Sequence, residues 1–148
     1  MGTYVITGGA SGIGLAIAEQ LTSEGHHCLS VDIQQADIVA DLSSPEGRTD
    51  AIAAIKDKTG EKLAGLVTSA GVGSHVGNNA LITEVNYFGT VDLVAGLHDT
   101  LAANKAAVLL VSSNSAPMPT NPDFITALLD SERERACELA AGMEGHPV

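Results

Sequence analysis

The segment TGGASGIG, Thr7 to Gly14, places four glycines within seven residues, directly after the apolar pair Val5-Ile6 and directly before a helical pattern. Few junctions restrict a fold so strongly. A strand that runs through a glycine-rich turn into a helix aims the helix's unpaired N–H groups, and about half a positive charge, at the space beyond the turn. An anion settles there only where no side chain stands in the way, and glycine provides that clearance. The spacing is GxxxGxG, at Gly8, Gly12 and Gly14, rather than the commoner GxGxxG. Ser11 brings a hydroxyl to the same turn. A purely structural turn is the alternative, and the flanking strand and helix weigh against it.

The rest of the chain alternates in the same way. TYVIT (3–7) is a short buried strand, and Ile13, Ile17 and Leu21 recur every four residues as the stripe of an amphipathic helix that Gly25 stops. HCLSVDI (27–33) and DIVADL (37–42) read as the second and third strands. Ser44-Pro45 opens a helix with a capping hydroxyl and a proline whose missing N–H costs nothing there. That helix turns Ile52 and Ile55 inward and Lys56 to Lys58 outward. LAGLVTSAG (63–71) is a fourth strand; residues 81 to about 103 form one long helix with Val85, Phe88, Leu97 and Leu101 in the core; AAVLLVSS (106–113) is a fifth strand. NSAPMPTNP (114–122) holds three prolines in nine residues and is a loop. Phe124, Leu128, Ala136, Leu139, Ala140 and Met143 then mark a helix ended by Gly142, Gly145 and Pro147, with residues 123–138 supplying its solvated face.

Near-continuous apolar strands separated by helices predict an α/β fold: a Rossmann-type, doubly wound parallel sheet of about five strands, covered on both faces. Residues 1–113 form the core, and 114–148 a loop and helical insert of the same domain. The length suits one domain. Aromatic residues are only 3% of the chain and tryptophan is absent, so the core has to be aliphatic. A net charge of −11 argues against nucleic acid and anionic membranes as partners. The longest apolar runs are far too short to span a bilayer, and no basic segment precedes an apolar one at the start. Cys28 and Cys137 lack a CxxC pattern and read as buried reduced thiols, which points to the cytoplasm. His26-His27 have no spaced third ligand, so no metal site is expected, and His75, His98 and His146 are scattered surface residues.

Asp32 sits 24 residues after Gly8, at the end of the second strand. An acid near that spacing accepts hydrogen bonds from the hydroxyls of an adenosine ribose. It also repels a 2′-phosphate: two unit charges about 4 Å apart at an effective dielectric near 20 interact by roughly 4 kcal/mol. No Lys or Arg occurs before Arg48 to neutralise that phosphate, so NAD is favoured over NADP. The alternative is an ordinary surface aspartate closing a strand.

TGGASGIG, VDI, ADLSSPEG, SAGVG, EVNYFGT and VSS follow one another between Thr7 and Ser113 in an order and spacing that resemble the short-chain dehydrogenase/reductase family. The run VADLSSPEGR and the long insert after Ser113 resemble its bacterial hydroxysteroid dehydrogenase branch. The resemblance implies that Gly8, Ser11, Gly12, Ile13 and Gly14 cradle NAD, that Asp32 and Ile33 hold the adenosine ribose, and that Asp41 and Leu42 contact the adenine. Ala70 and Gly71 would pass the nicotinamide-side ribose, with Thr68-Ser69 where the family usually carries amides. Asn86, a poor helix former, would bend the long helix and hold a water of a proton relay, and Ser113 would polarise the substrate carbonyl, with Ser112 and Ser115 as neighbouring alternatives. The implied reaction is hydride transfer between NAD(H) and a small secondary alcohol or ketone such as a hydroxysteroid, in a homodimer or homotetramer.

One departure is plain. The family's general acid/base is a Tyr with a Lys four residues on, whereas Tyr4 has Gly8 and Tyr87 has Val91 at that offset. The family's sixth and seventh strands are also missing from the sequence. The expectation is therefore the N-terminal part of such a dehydrogenase, inactive as it stands. The alternative is a noncatalytic NAD-binding module, and a third possibility is a fragment that binds nothing.

Overall fold

A computed structural model of the chain describes residues 1–114 and 116–144. Five parallel strands form one sheet in the order β3-β2-β1-β4-β5. They are β1 (Thr3–Thr7), β2 (His27–Asp32), β3 (Ile38–Val39), β4 (Gly65–Thr68) and β5 (Ala107–Leu110). β1 lies at the centre, where Val5 and Ile6 are fully buried, with Val5 opposite Leu29 on one side and Leu66 on the other. Reversal of strand order on either side of β1 opens a crevice at the strands' carboxyl ends, where ligands bind in such sheets.

The helices are α1 (Gly12–Ser23), α2 (Pro45–Thr59), α3 (Asn79–Thr83), α4 (Gly89–Gly96), α5 (His98–Asn104), α6 (Pro122–Leu129) and α7 (Arg133–Ala141). The Ser44 hydroxyl accepts the Gly47 amide at 3.0 Å and so caps α2, as the Ser-Pro pair predicts. Ala51 and Ile55 of α2 pack with Leu93, Leu97 and Leu101 in the main aliphatic core. Ile52 is half-buried.

Several elements differ from the expectations. The third strand shortens to Ile38–Val39, because the Asp37 carboxylate turns back to accept the Ser30 amide and hydroxyl and so belongs to the preceding corner. Residues 81–103 are not one helix. They pass from α3 through a wide turn with i→i+5 hydrogen bonding at Glu84–Phe88 into α4, and break again at Leu97 before α5. Gly96 ends α4 against α2, where an added Cβ would collide with Ile52 Cδ1. The single helix expected after residue 122 is two, α6 and α7, joined at a corner where Ser131 takes φ +58°. Its charged residues are exposed apart from Arg133, while Phe124, Ala127, Leu128, Ala136 and Ala140 make a second apolar cluster with Phe88. The expected stop at Gly145 and Pro147, and His146, lie outside the described residues, as does Ser115.

Three burial expectations also change. Ile13 is 62% exposed and α1 buries only Gly14, since the first turn faces the crevice rather than the sheet. Val85 is half-buried for the same reason, and Cys28 and Cys137 are half-buried rather than buried. β5 is an edge strand, with Val108, Leu109 and Leu110 each between 44% and 55% exposed. Because successive side chains alternate in direction, both of its faces are bare among the described residues, a condition that promotes association.

Candidate functional site

The glycine turn is built by specific backbone contacts. Gly8, at φ +68°, donates its amide to the Val31 carbonyl at 2.8 Å and lies against the Ser69–Ala70 backbone, where a Cβ would come within 2.9 Å of the Ala70 Cα. The Thr7 hydroxyl, buried just before it, accepts the amides of Ser69 and Ala70 at 3.1 and 3.0 Å. The ends of β1, β2 and β4 are thereby locked together. Gly12 takes φ +55°, and a Cβ there would meet nothing within 4 Å. Its bareness therefore serves the turn conformation and the open space in front of it. Ser11 is the N-cap of α1, but its side chain makes no capping hydrogen bond. The first-turn amides of α1 have no carbonyl one turn back within the helix.

Gly14 has a different task. It is buried, and a Cβ on it would overlap the Gly8 carbonyl oxygen and crowd Gly9 N at 3.2 Å. It seats the helix on the turn rather than facing the crevice. Gly14→Ala is expected to lower stability by about 1–3 kcal/mol, the usual cost of overpacking, read as a shift in the urea midpoint. An unchanged midpoint would show that the turn moves aside without cost.

A cavity of about 330 Å³ opens in front of this turn. Gly8, Ser11, Gly12 and Ile13 form its floor; Asp32, Ile33, Asp41 and Leu42 form one end; Ala70 and Gly71 form the other. Ten of the eleven predicted cofactor residues thus share one cavity, Gly14 being the exception. Val31, Ala40, Ser69, Val72 and Val85 complete the lining; none was assigned to the cofactor in the sequence, because small residues near strand ends and a helical valine carry no binding pattern of their own. The Asp32 carboxylate is already oriented: Oδ2 accepts the Ala10 amide at 3.1 Å and Oδ1 the Ile33 amide at 2.7 Å. Hydrogen bonds from the Ser43 hydroxyl and amide hold the Asp41 carboxyl below its ordinary range, so Asp41 is ionised at neutral pH.

Asn86 lies in the wide turn between α3 and α4, a feature common at functional sites. Its side chain does not line the cavity. Instead Oδ1 accepts the Val72 amide at 2.8 Å and Nδ2 donates to the Val72 carbonyl at 3.1 Å, pinning the loop that follows Gly71. Ser113 follows β5 and is exposed at the same end of the sheet, on the side of β4, the strand that leads into Ser69 to Gly71; it is not part of the cavity lining.

Arg48 went unrecognised in the sequence. It is 1% exposed and reaches the wall of the cavity, with Nη1 donating to the Leu42 carbonyl at 2.9 Å and pairing with Glu84 at 3.1 Å. Asp92 Oδ2 lies 2.7 Å from Nε but off the N–H direction, an ion pair rather than a hydrogen bond. Glu84 also pairs with Arg133 at 2.8 Å and accepts the Cys137 thiol at 3.3 Å. Burial, with Glu84 beside it, pushes the Cys137 thiol up to about 11, so it stays protonated and unreactive at neutral pH. Among the described residues no group of three or more His, Cys, Asp or Glu could hold a metal ion, and no helix is long and apolar enough to cross a membrane.

A central β1 flanked by β2 and β4, with a glycine turn under an acid-ended cavity, defines a Rossmann-type α/β protein. No family model matches the chain. It is 35% identical over 150 residues to the 3-alpha-hydroxysteroid dehydrogenase/carbonyl reductase of Comamonas testosteroni, covering 98% of this chain and 58% of that one. Its structure superposes on the 3-alpha-hydroxysteroid dehydrogenase of Pseudomonas sp. B-0831, solved with NADH, with a TM-score of 0.87 and 42% identity over 94% of this chain and 61% of the other. A short-chain dehydrogenase/reductase from Brucella ovis matches with a TM-score of 0.68 and 28% identity, over 82% of this chain and 65% of that one. The chain belongs to the short-chain dehydrogenase/reductase family, and spans about three fifths of the length of these relatives.

Proposed function

We propose that this chain binds NAD and serves an oxidoreductase that interconverts a small secondary alcohol, such as a hydroxysteroid, and its ketone. One observation carries the proposal: a single cavity joins the unpaired amides at the start of α1 to the pre-oriented Asp32 carboxylate. The Gly12 region offers N–H groups to a diphosphate, and Asp32 accepts from the ribose hydroxyls beside it. Asp41 and Leu42 close around the adenine, while Ala70 and Gly71 admit the nicotinamide half without side-chain obstruction. Bound NAD would supply the hydride acceptor. Ser113 donates a hydrogen bond to the substrate oxygen, and Asn86 sets the loop at Val72 that borders the reacting end. Neither tyrosine has a lysine four residues on, so cofactor holding and carbonyl polarisation are assigned to these residues, and proton transfer is not. Residues 114–148 act as an insert on the substrate side, in a cytoplasmic dimer or tetramer.

The missing Tyr-x-x-x-Lys equally favours a second reading, a noncatalytic NAD-binding module. Calorimetric titration with NAD is expected to show saturable one-site binding, and both readings fail if millimolar NAD gives no heat. Turnover of a panel of secondary alcohols by these 148 residues is expected to be absent; turnover at the level of intact dehydrogenases would show that these residues also carry the proton transfer withheld from them here. Intact mass from the native source separates the two readings. A mass equal to that of this sequence supports the module, and a much larger one the enzyme.

A further inference from the structure

We infer that Arg48 is a positioning residue for the adenine end of the cavity; this rests on the dinucleotide-binding reading above. Arg48 lies in the first turns of α2 and does not itself line the cavity. Its Nη1 donates to the Leu42 carbonyl at 2.9 Å, and Leu42 and Asp41 form the adenine end. That segment, from Asp41 to Ser44, lies between the two-residue strand β3 and the cap of α2, so regular structure constrains it little. Hydrogen bonds from Ser43 and Ser44 to Asp41 close the segment on itself, and Arg48 ties its Leu42 carbonyl to the rest of the fold. The guanidinium is itself fixed from the far side by Glu84 at 3.1 Å and Asp92 at 2.7 Å.

The anchor is rigid at its base. Glu84 begins the wide turn whose next residue, Val85, lines the same cavity, and whose Asn86 pins Val72 at the opposite end. Gly89 packs beneath, where a Cβ would come within 3.5 Å of the Leu42 Cβ. One buried cation therefore holds the adenine wall in register with the turn that sets the rest of the cavity. The guanidinium meets the Leu42 carbonyl and Glu84 through Nη1 and sets Nε beside Asp92, a spread that the single nitrogen of a lysine on a flexible stem reproduces less well.

The test uses the full chain and Arg48→Lys, with NAD and AMP as titrants and amide hydrogen exchange as a ligand-free readout. Arg48→Lys is expected to weaken AMP and NAD by the same factor, about tenfold, the scale of a lost charged hydrogen bond. Equal loss follows because AMP contains the whole of the affected end. Exchange is expected to quicken at Ser43 and Ser44 while Val5 to Thr7 of β1 keep their protection. Unchanged AMP affinity, or exchange that quickens equally in β1, would overturn the inference by reducing Arg48 to a support of the whole fold. If Arg48→Lys does not fold, Asp92→Asn, which alters the half-exposed carboxylate behind Arg48, is measured in the same way. It is expected to give a two- to threefold loss for both ligands, and no loss overturns the inference. Should the parent chain bind neither AMP nor NAD, the dinucleotide reading fails, while the exchange comparison still decides whether Arg48 anchors the loop.

Discussion

Truncating Arg48 to alanine is expected to cost the fold about 3–5 kcal/mol, the typical loss when one partner is removed from a buried ion pair. The side chain is 1% exposed, and its removal strips a donor from the Leu42 carbonyl and a counter-charge from Glu84, itself only 9% exposed. Arg133 remains beside Glu84 but is partly solvated and approaches the other carboxylate oxygen. Most of the loss therefore comes from stranding an acid in the interior, rather than from the intrinsic strength of the pair. Removing both charges should hurt less than the sum of the single changes, since neither Arg48 nor Glu84 is then left without the other. Urea denaturation of Arg48→Ala, Glu84→Ala and the double variant checks this. Additive losses would show that the two side chains stabilise the fold independently.

Asp32→Ala is expected to collapse the preference for NAD over NADP. In the parent chain the carboxylate is held by the amides of Ala10 and Ile33 at the cavity end, where a 2′-phosphate would have to sit. At about 4 Å and an effective dielectric near 20 the repulsion is roughly 4 kcal/mol. Salt and the partial exposure of Asp32 screen it, so a discrimination of about two to three decades in Kd is expected. Among the described residues no Lys or Arg lines the cavity to redress the balance, and Arg48 lies beyond Leu42 with Glu84 and Asp92 as partners. The alanine variant loses the ribose contact as well, so NAD should weaken while NADP strengthens. Paired titrations with the two dinucleotides read the ratio, and a ratio unmoved by the substitution would remove Asp32 from the ribose site.

Legibility of the site followed distance along the chain. The glycine turn, Asp32, Asp41-Leu42 and Ala70-Gly71 were visible because each sits where a strand ends, and strand ends of a parallel sheet gather at one edge whatever fills the core. Gly14 was visible as part of the motif, but its task was not. Only the folded turn shows that its missing Cβ makes room for the Gly8 carbonyl rather than for a ligand. Arg48 was invisible as a site residue. Its main partner stands 36 residues later, and nothing near PEGR separates a buried arginine from a surface one.

Order and type of most elements were thus written in local patterns: apolar runs, a capped Ser-Pro start and glycines where the backbone must turn. The broken path through 79–104, the corner between α6 and α7, and the bare faces of β5 were decided by tertiary packing. A helix can be predicted from its own period, but where it bends, and which carboxylate ends up beside a buried guanidinium, depends on contacts between segments far apart in the chain.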